Sequence, residues 1–313
     1  MENKNYKFLC YASGGNKIGY GHLYRLARII EKFDLVDQSI FLYANAEEKF
    51  FLKNRGLNIF SGQTILPEKI IIDSRIDCSD LLKKFSNINS NSIILDNLDD
   101  WVSRGDNIII PSFFINDKLK EKFENKFSKK ILYGKKFSLP PSPILSKKNI
   151  NDNILITFGG SDPNNITLKV VELLADSRIA AKLKIILGPG YSHKERKLYE
   201  LVSKSQILRN VKNLSTEIAN SAQVITTLGT TIQHIEFYGK KSIIICNYDN
   251  DKYDFRYIRK YCQNESYFKC LGNWKNIKKK SFLNSLNELE LINELPASNS
   301  SDWGSGWKNL LSN

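Results

Sequence analysis

Short apolar runs alternate along the chain with longer stretches in which apolar residues recur every three or four positions. In the first half the runs are FLCYA, SIFLYA, KIIID, SIILD and NIIIP; in the second they are NILITF, LKIILG, AQVITT and KSIIIC. They are short, rich in β-branched residues and bounded by Gly, Asn, Asp or Pro, which predicts buried strands. Helical periodicity lies between them, as in His22 to Lys32 and Ile166 to Ala175. Such alternation predicts βαβ units and mostly parallel sheets, an α/β fold.

The segment from Ser138 to Asn153 breaks this pattern. It carries three of the chain's 8 prolines, then a polar run. Pro-Pro-x-Pro continues neither a helix nor a central strand, so an extended linker is expected. The chain then divides into residues 1–145, residues 150–297 and a tail of 298–313, where WKNLL predicts a closing helix. No sequence repeat relates the halves. Two α/β halves would leave a cleft, with ligands at the carboxyl ends of strands. The loops after FLCYA, NILITF and AQVITT are therefore the ones to examine.

Composition narrows this picture. A chain of 313 residues, 42% apolar and 25% charged, suits two ordinary domains and excludes a disordered or collagen-like chain. No apolar run reaches the length of a spanning helix, and MENKNYK leads straight into a strand rather than a signal peptide. Cysteines at 10, 78, 246, 262 and 270 form no CxxC pair and lack a neighbouring His for zinc. Reduced thiols and a cytoplasmic location are expected, with no metal and no cofactor. The net charge of +13 is spread in lysine pairs. It suits first a solvated lysine-rich surface, and second one that also attracts a phosphorylated substrate or an anionic membrane. No nucleic-acid motif accompanies it, so no nucleic-acid partner is expected.

Three loops carry candidate chemistry. The first runs from Ala12 to Arg25, ASGGNKIGYGHLYR, and contains Gly14, Gly15, Gly19 and Gly21. Its spacing is neither GxGxxG nor a P-loop. His22 opens the following helix, where the positive end of the dipole favours the neutral imidazole, the form that serves as a general base. A capping or packing histidine would occupy the same place. The second loop follows NILITF and reads Gly159-Gly160-Ser161-Asp162-Pro163. Ser161 or Asp162 suits a cap and Pro163 a first helical turn, so phosphate binding and an ordinary strand–helix connection both remain open. The third is Gly229-Thr230-Thr231, whose backbone N–H groups and hydroxyls suit a diphosphate or a plain Thr cap. His193, in GPGYSH, reads as a loop residue.

These segments together resemble a known family. SGGNKIGYGHLYR, ILITFGGSDPNNITLKVVELL, IILGPGYSH and NLSTEIANSAQVITTLGTTIQHIEFYGKKSIIICNYDN are similar, in order and spacing, to the UDP-sugar hydrolase of pseudaminic acid biosynthesis. Its relatives include a spore-coat polysaccharide protein and, more distantly, the lipid II N-acetylglucosaminyltransferase. The likeness spans roughly residues 6 to 250; ILYG before the linker and DWGSG in the tail also fit. It implies a GT-B-like fold, two Rossmann-type domains with mostly parallel sheets facing a cleft. The first domain would hold the sugar and the second the nucleotide.

By the same resemblance His22 and Asn250 are catalytic, and Gly14, Gly15, Gly19, Gly21 and Arg25 meet the substrate. Gly159, Gly160, Ser161, Asp162, Gly229, Thr230, Thr231, His234 and Asp251 meet the nucleotide. Three positions depart from the family: His234 and Asp251 stand where it has Glu and Gln, and Arg75 replaces the Tyr of an Asp-x-Tyr segment at Asp73. The expected activity is hydrolysis of a nucleotide sugar, most simply a UDP-sugar, with water attacking the anomeric carbon. A glycosyltransferase, with peripheral membrane contact if its acceptor is a lipid, is the first alternative. A non-catalytic nucleotide-sugar binder is the second. The sugar, the base and the oligomeric state stay open.

Overall fold

The computed structural model describes residues 6–15, 19–62, 64–85, 91–97, 99–115, 117–139, 141, 151–209, 211, 213–247, 256–260, 267–292 and 302–312. The chain forms two compact units, Met1–Leu139 with Ser301–Asn313, and Pro140–Ser300.

The first unit contains β1 (Phe8–Ala12), α1 (Gly21–Lys32), β2 (Ser39–Leu42), α2 (Ala46–Asn54), β3 (Lys69–Asp73), α3 (Ser79–Phe85), β4 (Asn91–Leu95), β5 (Asn107–Ile110), α4 (Asp117–Phe127) and β6 (Ile131–Tyr133). The described strands form one parallel sheet in the order β2-β1-β3-β4-β5-β6. Outside β2 lies a rudiment of a further strand. Phe41 bridges Ile59 in parallel, with Phe41 N donating to Asn58 O and Phe60 N to Phe41 O, both at 2.9 Å. The central strands are buried on both faces, which is why they read as unbroken Ile/Leu runs. Leu23, Leu26, Ala27 and Ile30 place one stripe of α1 against Cys10, Ala12 and Ile71.

The second unit contains β7 (Asn151–Ile156), α5 (Ile166–Leu174), β8 (Leu183–Leu187), α6 (Arg196–Leu201), β9 (Ile207–Arg209), α7 (Leu214–Ala219), β10 (Ser221–Thr227), α8 (Thr231–Phe237), β11 (Lys241–Cys246), β12 (Phe268–Asn273) and α9 (Lys279–Glu290). Its described strands run parallel in the order β12-β11-β10-β7-β8-β9. Read from the other side, this is the doubly wound order 3-2-1-4-5-6 of dinucleotide-binding sheets. With the Ile59 bridge counted, the first unit follows the same winding. Each sheet therefore reverses direction next to its first strand, between β1 and β3 and between β7 and β10.

The apolar runs all become strands. Three strands without such runs, β6, β9 and β12, lie at the edges of the described sheets, where one side of the strand pairs with no described strand and few residues are buried. Ser138 and Leu139, expected to begin the linker, are buried in the first unit, where the Ser138 hydroxyl donates to Pro111 O. The tail helix, α10 (Ser305–Ser312), also packs on this unit, with Trp307 fully buried and its Nε1 donating to Phe137 O at 2.7 Å.

Candidate active site

In the first unit the loop after β1 is fixed from below. Glu48, buried in the first turn of α2, accepts from Gly14 N at 3.1 Å and from Ala44 N at 2.6 Å, tying the loops after β1 and β2 together. A Cβ on Gly14 would lie 2.1 Å from Leu23 Cδ1, so any larger residue would have to displace the fully buried Leu23 side chain of α1. Gly15 and Gly19 exchange N–H···O bonds of 3.0 and 2.7 Å, closing the loop into a small ribbon. Gly21 opens onto free space at the start of α1.

His22 follows, and its surroundings are polar and built. Its Nδ1 lies 2.6 Å from Oδ1 of Asp73, the last residue of β3, whose side chain is fully buried. A carboxylate oxygen only accepts, so Nδ1 carries the ring proton and donates it. Arg25, one turn further along α1, donates from Nε to Asp73 Oδ2 at 2.6 Å and from Nη2 to Asp73 Oδ1 at 2.7 Å. Its Nη1 donates to Asp96 Oδ2 at 2.6 Å. Nη2 also comes within 3.3 Å of His22 Nδ1, but its nearer acceptor is Asp73. Burial pushes the Asp73 carboxyl up; Arg25 and His22 outweigh it and hold it below the usual carboxylate range. Burial likewise pulls the Arg25 guanidinium down, and Asp73 and Asp96 more than offset this and raise it.

Asp96 directly follows β4 and takes φ +51°. Its side chain is 30% exposed, against 0% for Asp73. Asp73 closes β3, Asp96 follows β4, and His22 and Arg25 stand on the first turns of α1, the helix that follows β1, so the four meet at the reversal of the sheet, where open α/β sheets bind ligands. With the imidazole neutral, two carboxylates face one guanidinium; a proton on Nε2 balances the charges. A base in this place becomes an imidazolium without leaving its cluster unpaired.

In the second unit the loops after β7 and β10 flank the reversal. Gly188 presses so closely on the first that a Cβ would lie 2.3 Å from Gly159 O and 2.4 Å from Gly160 O. Gly190 N donates to Gly160 O at 2.8 Å. Ser161 is buried. Asp162 accepts from Ile166 N and Thr167 N, both at 2.9 Å, so its carboxylate already caps α5. Pro163, expected in the first helical turn, lies in the turn before α5. Burial pushes the Asp162 carboxyl above its usual range against these bonds. His193 Nε2 donates to Asp162 O at 2.8 Å, a loop brace rather than an open imidazole. Asn164 Nδ2 reaches Asn247, beyond the end of β11, at 2.7 Å to Oδ1 and 3.0 Å to O. β10 lies between the two strands these asparagines follow.

Gly229, with open space at its Cα, and Thr230 precede α8; the Thr230 side chain makes no cap bond. Thr231 is buried in the first turn of α8. Thr227, the last residue of β10, has a buried hydroxyl without a hydrogen-bond partner among the described residues. His234 lies one turn into α8, with Nδ1 3.0 Å from Ser215 Oγ of α7. Asn250 and Asp251 lie outside the described residues.

The structure thus gathers His22 with Arg25, and sets the Gly159 and Gly229 loops on either side of the second reversal. Arg25, expected to meet substrate, is turned to two carboxylates. Asp73 stands in the sequence reading only as the head of the Asp-x-Tyr segment, with no role of its own; Asp96, Glu48 and the Asn164–Asn247 link were not picked out from the sequence. The available signal was an acid closing an otherwise apolar strand, in KIIID and SIILD. Among the described residues no group of His, Cys, Asp and Glu is arranged to hold a metal ion, and the cysteines described are free thiols, with Cys262 outside them.

Solved structures with this architecture are similar over almost the whole chain. MurG of Acinetobacter baumannii superposes with a TM-score of 0.61 at 10% identity, covering 98% of this chain and 99% of that one. The spinosyn forosaminyltransferase gives 0.60 at 9% identity, covering 98% and 100%. The fold is GT-B-like. The UDP-GlcNAc 2-epimerase of Methanocaldococcus jannaschii, at 0.55 and 11% identity over 97% and 99%, shares this GT-B-like architecture. No family model matches the sequence. An uncharacterized protein of Methanocaldococcus jannaschii is 23% identical over 273 residues, 78% of this chain; the chain spans about half of that relative's length, 56%. No helix among the described residues is long and apolar enough to cross a membrane.

Proposed function

We propose that this GT-B-like protein is an enzyme acting on a nucleotide-activated sugar, most simply a UDP-sugar, and that it hydrolyses it. The observation that carries the reading is the His22–Asp73 hydrogen bond at the first sheet's reversal. It leaves Nε2 as the nitrogen available for chemistry. In the proposed step a water oxygen bonds to the anomeric carbon and gives its proton to His22 Nε2. The bond from that carbon to the phosphate oxygen breaks, and the electron pair leaves with the nucleoside diphosphate. By the sequence resemblance, the backbone N–H groups of Gly159–Gly160 and Gly229–Thr231 are proposed to bind the diphosphate, and the Thr227 hydroxyl at the same sheet reversal suits the same role. The net charge of +13 favours the approach of such an anionic substrate. Asn250 and Asp251 are proposed to approach the sugar and nucleotide on the strength of the sequence resemblance.

A glycosyltransferase is the second reading, favoured by the transferases that share the fold. The two differ only in whether water or a sugar hydroxyl attacks. Thermal-shift measurements with a panel of nucleotides and nucleotide sugars will identify the bound nucleotide, since a ligand of the folded state raises the melting point by mass action. The stabilising nucleotide sugar is then incubated with the protein alone. Steady release of the nucleoside diphosphate without an acceptor supports hydrolysis. Release that requires an added sugar or lipid acceptor supports transfer. Absence of a thermal shift with every nucleotide sugar overturns both.

A further inference from the structure

The His22 cluster contains more than a base. An imidazole beside a water-filled region can carry its single neutral proton on either nitrogen, and only one tautomer offers a lone pair outward. Asp73 fixes which. Its side chain is wholly buried, it accepts at 2.6 Å from Nδ1, and both of its oxygens are bonded by Arg25 at 2.6 and 2.7 Å. Arg25 is held in turn by Asp96 at 2.6 Å, so the guanidinium cannot swing away from Asp73 without breaking a second ion pair. Arg25 lies one turn after His22 on α1, so the helix sets the imidazole and the guanidinium on the same face toward β3.

We propose that Asp73 is the positioning residue of this site: it locks His22 in the tautomer protonated at Nδ1, and Arg25, anchored by Asp96, locks Asp73. Asp73 touches no substrate and takes no proton in the reaction; the two hydrogen bonds from Arg25 keep it an acceptor. Its contribution is to present Nε2 unprotonated and to pair the imidazolium that forms there. The kinetic consequence rests on the reading of His22 as the base, whereas the tautomer is a property of the protein alone.

The full chain is labelled with ¹⁵N-histidine and its ring nitrogens are read by NMR at pH 8, above the usual imidazole range of about 6.5. There are only 3 histidines, so His193→Gln and His234→Gln assign the spectrum by elimination. The expected result is His22 protonated at Nδ1 and bare at Nε2. A ring protonated at Nε2, or at both nitrogens, overturns the proposal whatever the enzyme turns over. With the nucleotide sugar identified as above, Asp73→Asn is expected to lower kcat by about 10²–10⁴-fold with KM within a few-fold of the parent. Its His22 spectrum should shift toward the other tautomer, because the Asn amide can donate to Nδ1. Asp73→Glu should restore part of kcat. An Asp73→Asn protein with parental kcat also overturns the proposal. If that variant does not fold, the parent spectrum still decides. If the parent turns over no nucleotide sugar, the base reading fails while the spectrum still tests the lock.

Discussion

One ring nitrogen of His22 is tied to a buried carboxylate, and the other is the one proposed to act on a substrate. A positioned general base contributes on the order of 10²–10⁴-fold to a rate. His22→Asn is therefore expected to reduce turnover by about that factor while nucleotide affinity, proposed for the second unit, stays near the parent's; titration calorimetry and a release assay check the two halves of the statement. Asp73 adds a prediction in stability. Its folded-state pKa is depressed by Arg25 and His22, so its contribution is present above the unfolded value and is lost as pH falls through the folded one. With an unfolded value of about 3.9, the gap in urea-unfolding free energy between the parent and Asp73→Asn should be full at neutral pH and should narrow below about pH 4. A gap that grows in acid would mean that Asp73 is protonated in the folded protein.

At the scale of elements, the loop after β7 is shaped by its neighbours as much as by its own sequence. Asp162 caps α5, His193 braces the Asp162 carbonyl, and Gly188 lies against the carbonyls of Gly159 and Gly160. The last contact is with backbone and cannot yield by a side chain turning aside. Gly188→Ala should cost about 1–3 kcal/mol, as overpacking does, and should displace the Gly159–Gly160 loop. A chemical-denaturation curve measures the first effect and a nucleotide titration the second. Unchanged values in both would show that the loop gives way freely. The sequence marked this loop as a strand–helix connection able to meet a phosphate. It did not reveal that the α5 N-terminus already holds a carboxylate, because Asp162 and Ser161 were equally good caps on paper and only the turn conformation chose between them.

For the whole molecule, the end of the chain belongs with its beginning. α10 returns to the first unit, where Trp307 packs edge-on against Phe137 with centroids 6.0 Å apart and donates to its carbonyl. The Lys69 ammonium donates to Leu310 O at 2.6 Å, near the carboxyl end of the same helix. Trp307→Ala removes a fully buried indole and should cost about 3–5 kcal/mol. Intrinsic fluorescence and circular dichroism in urea should show the unfolding transition moved to lower denaturant. An unmoved transition would mean that α10 adds nothing to the first unit's stability.

The sequence by itself determined the strand–helix alternation, the parallel sheets and the division into two α/β units. Strands buried on both faces must be apolar throughout, so their identity is written in consecutive residues. It also marked His22 and the glycine loops, since helix starts and close backbone approaches demand particular residues over a few positions. Tertiary structure alone decided the rest. β6 and β9 are only three residues long and β12 is broken by Lys269 and Gly272, so their apolar residues form no run that reads as a strand; the hydrogen bonds of a neighbouring strand define them at the sheet edges. The partners of the site come from far along the chain, Asp73 51 positions from His22 and Asp96 71 from Arg25. What joins them is the order in which parallel strands lie side by side: once β1 and β3 are neighbours and β4 is next, their carboxyl ends meet, and acids that looked like strand boundaries become the partners of the histidine.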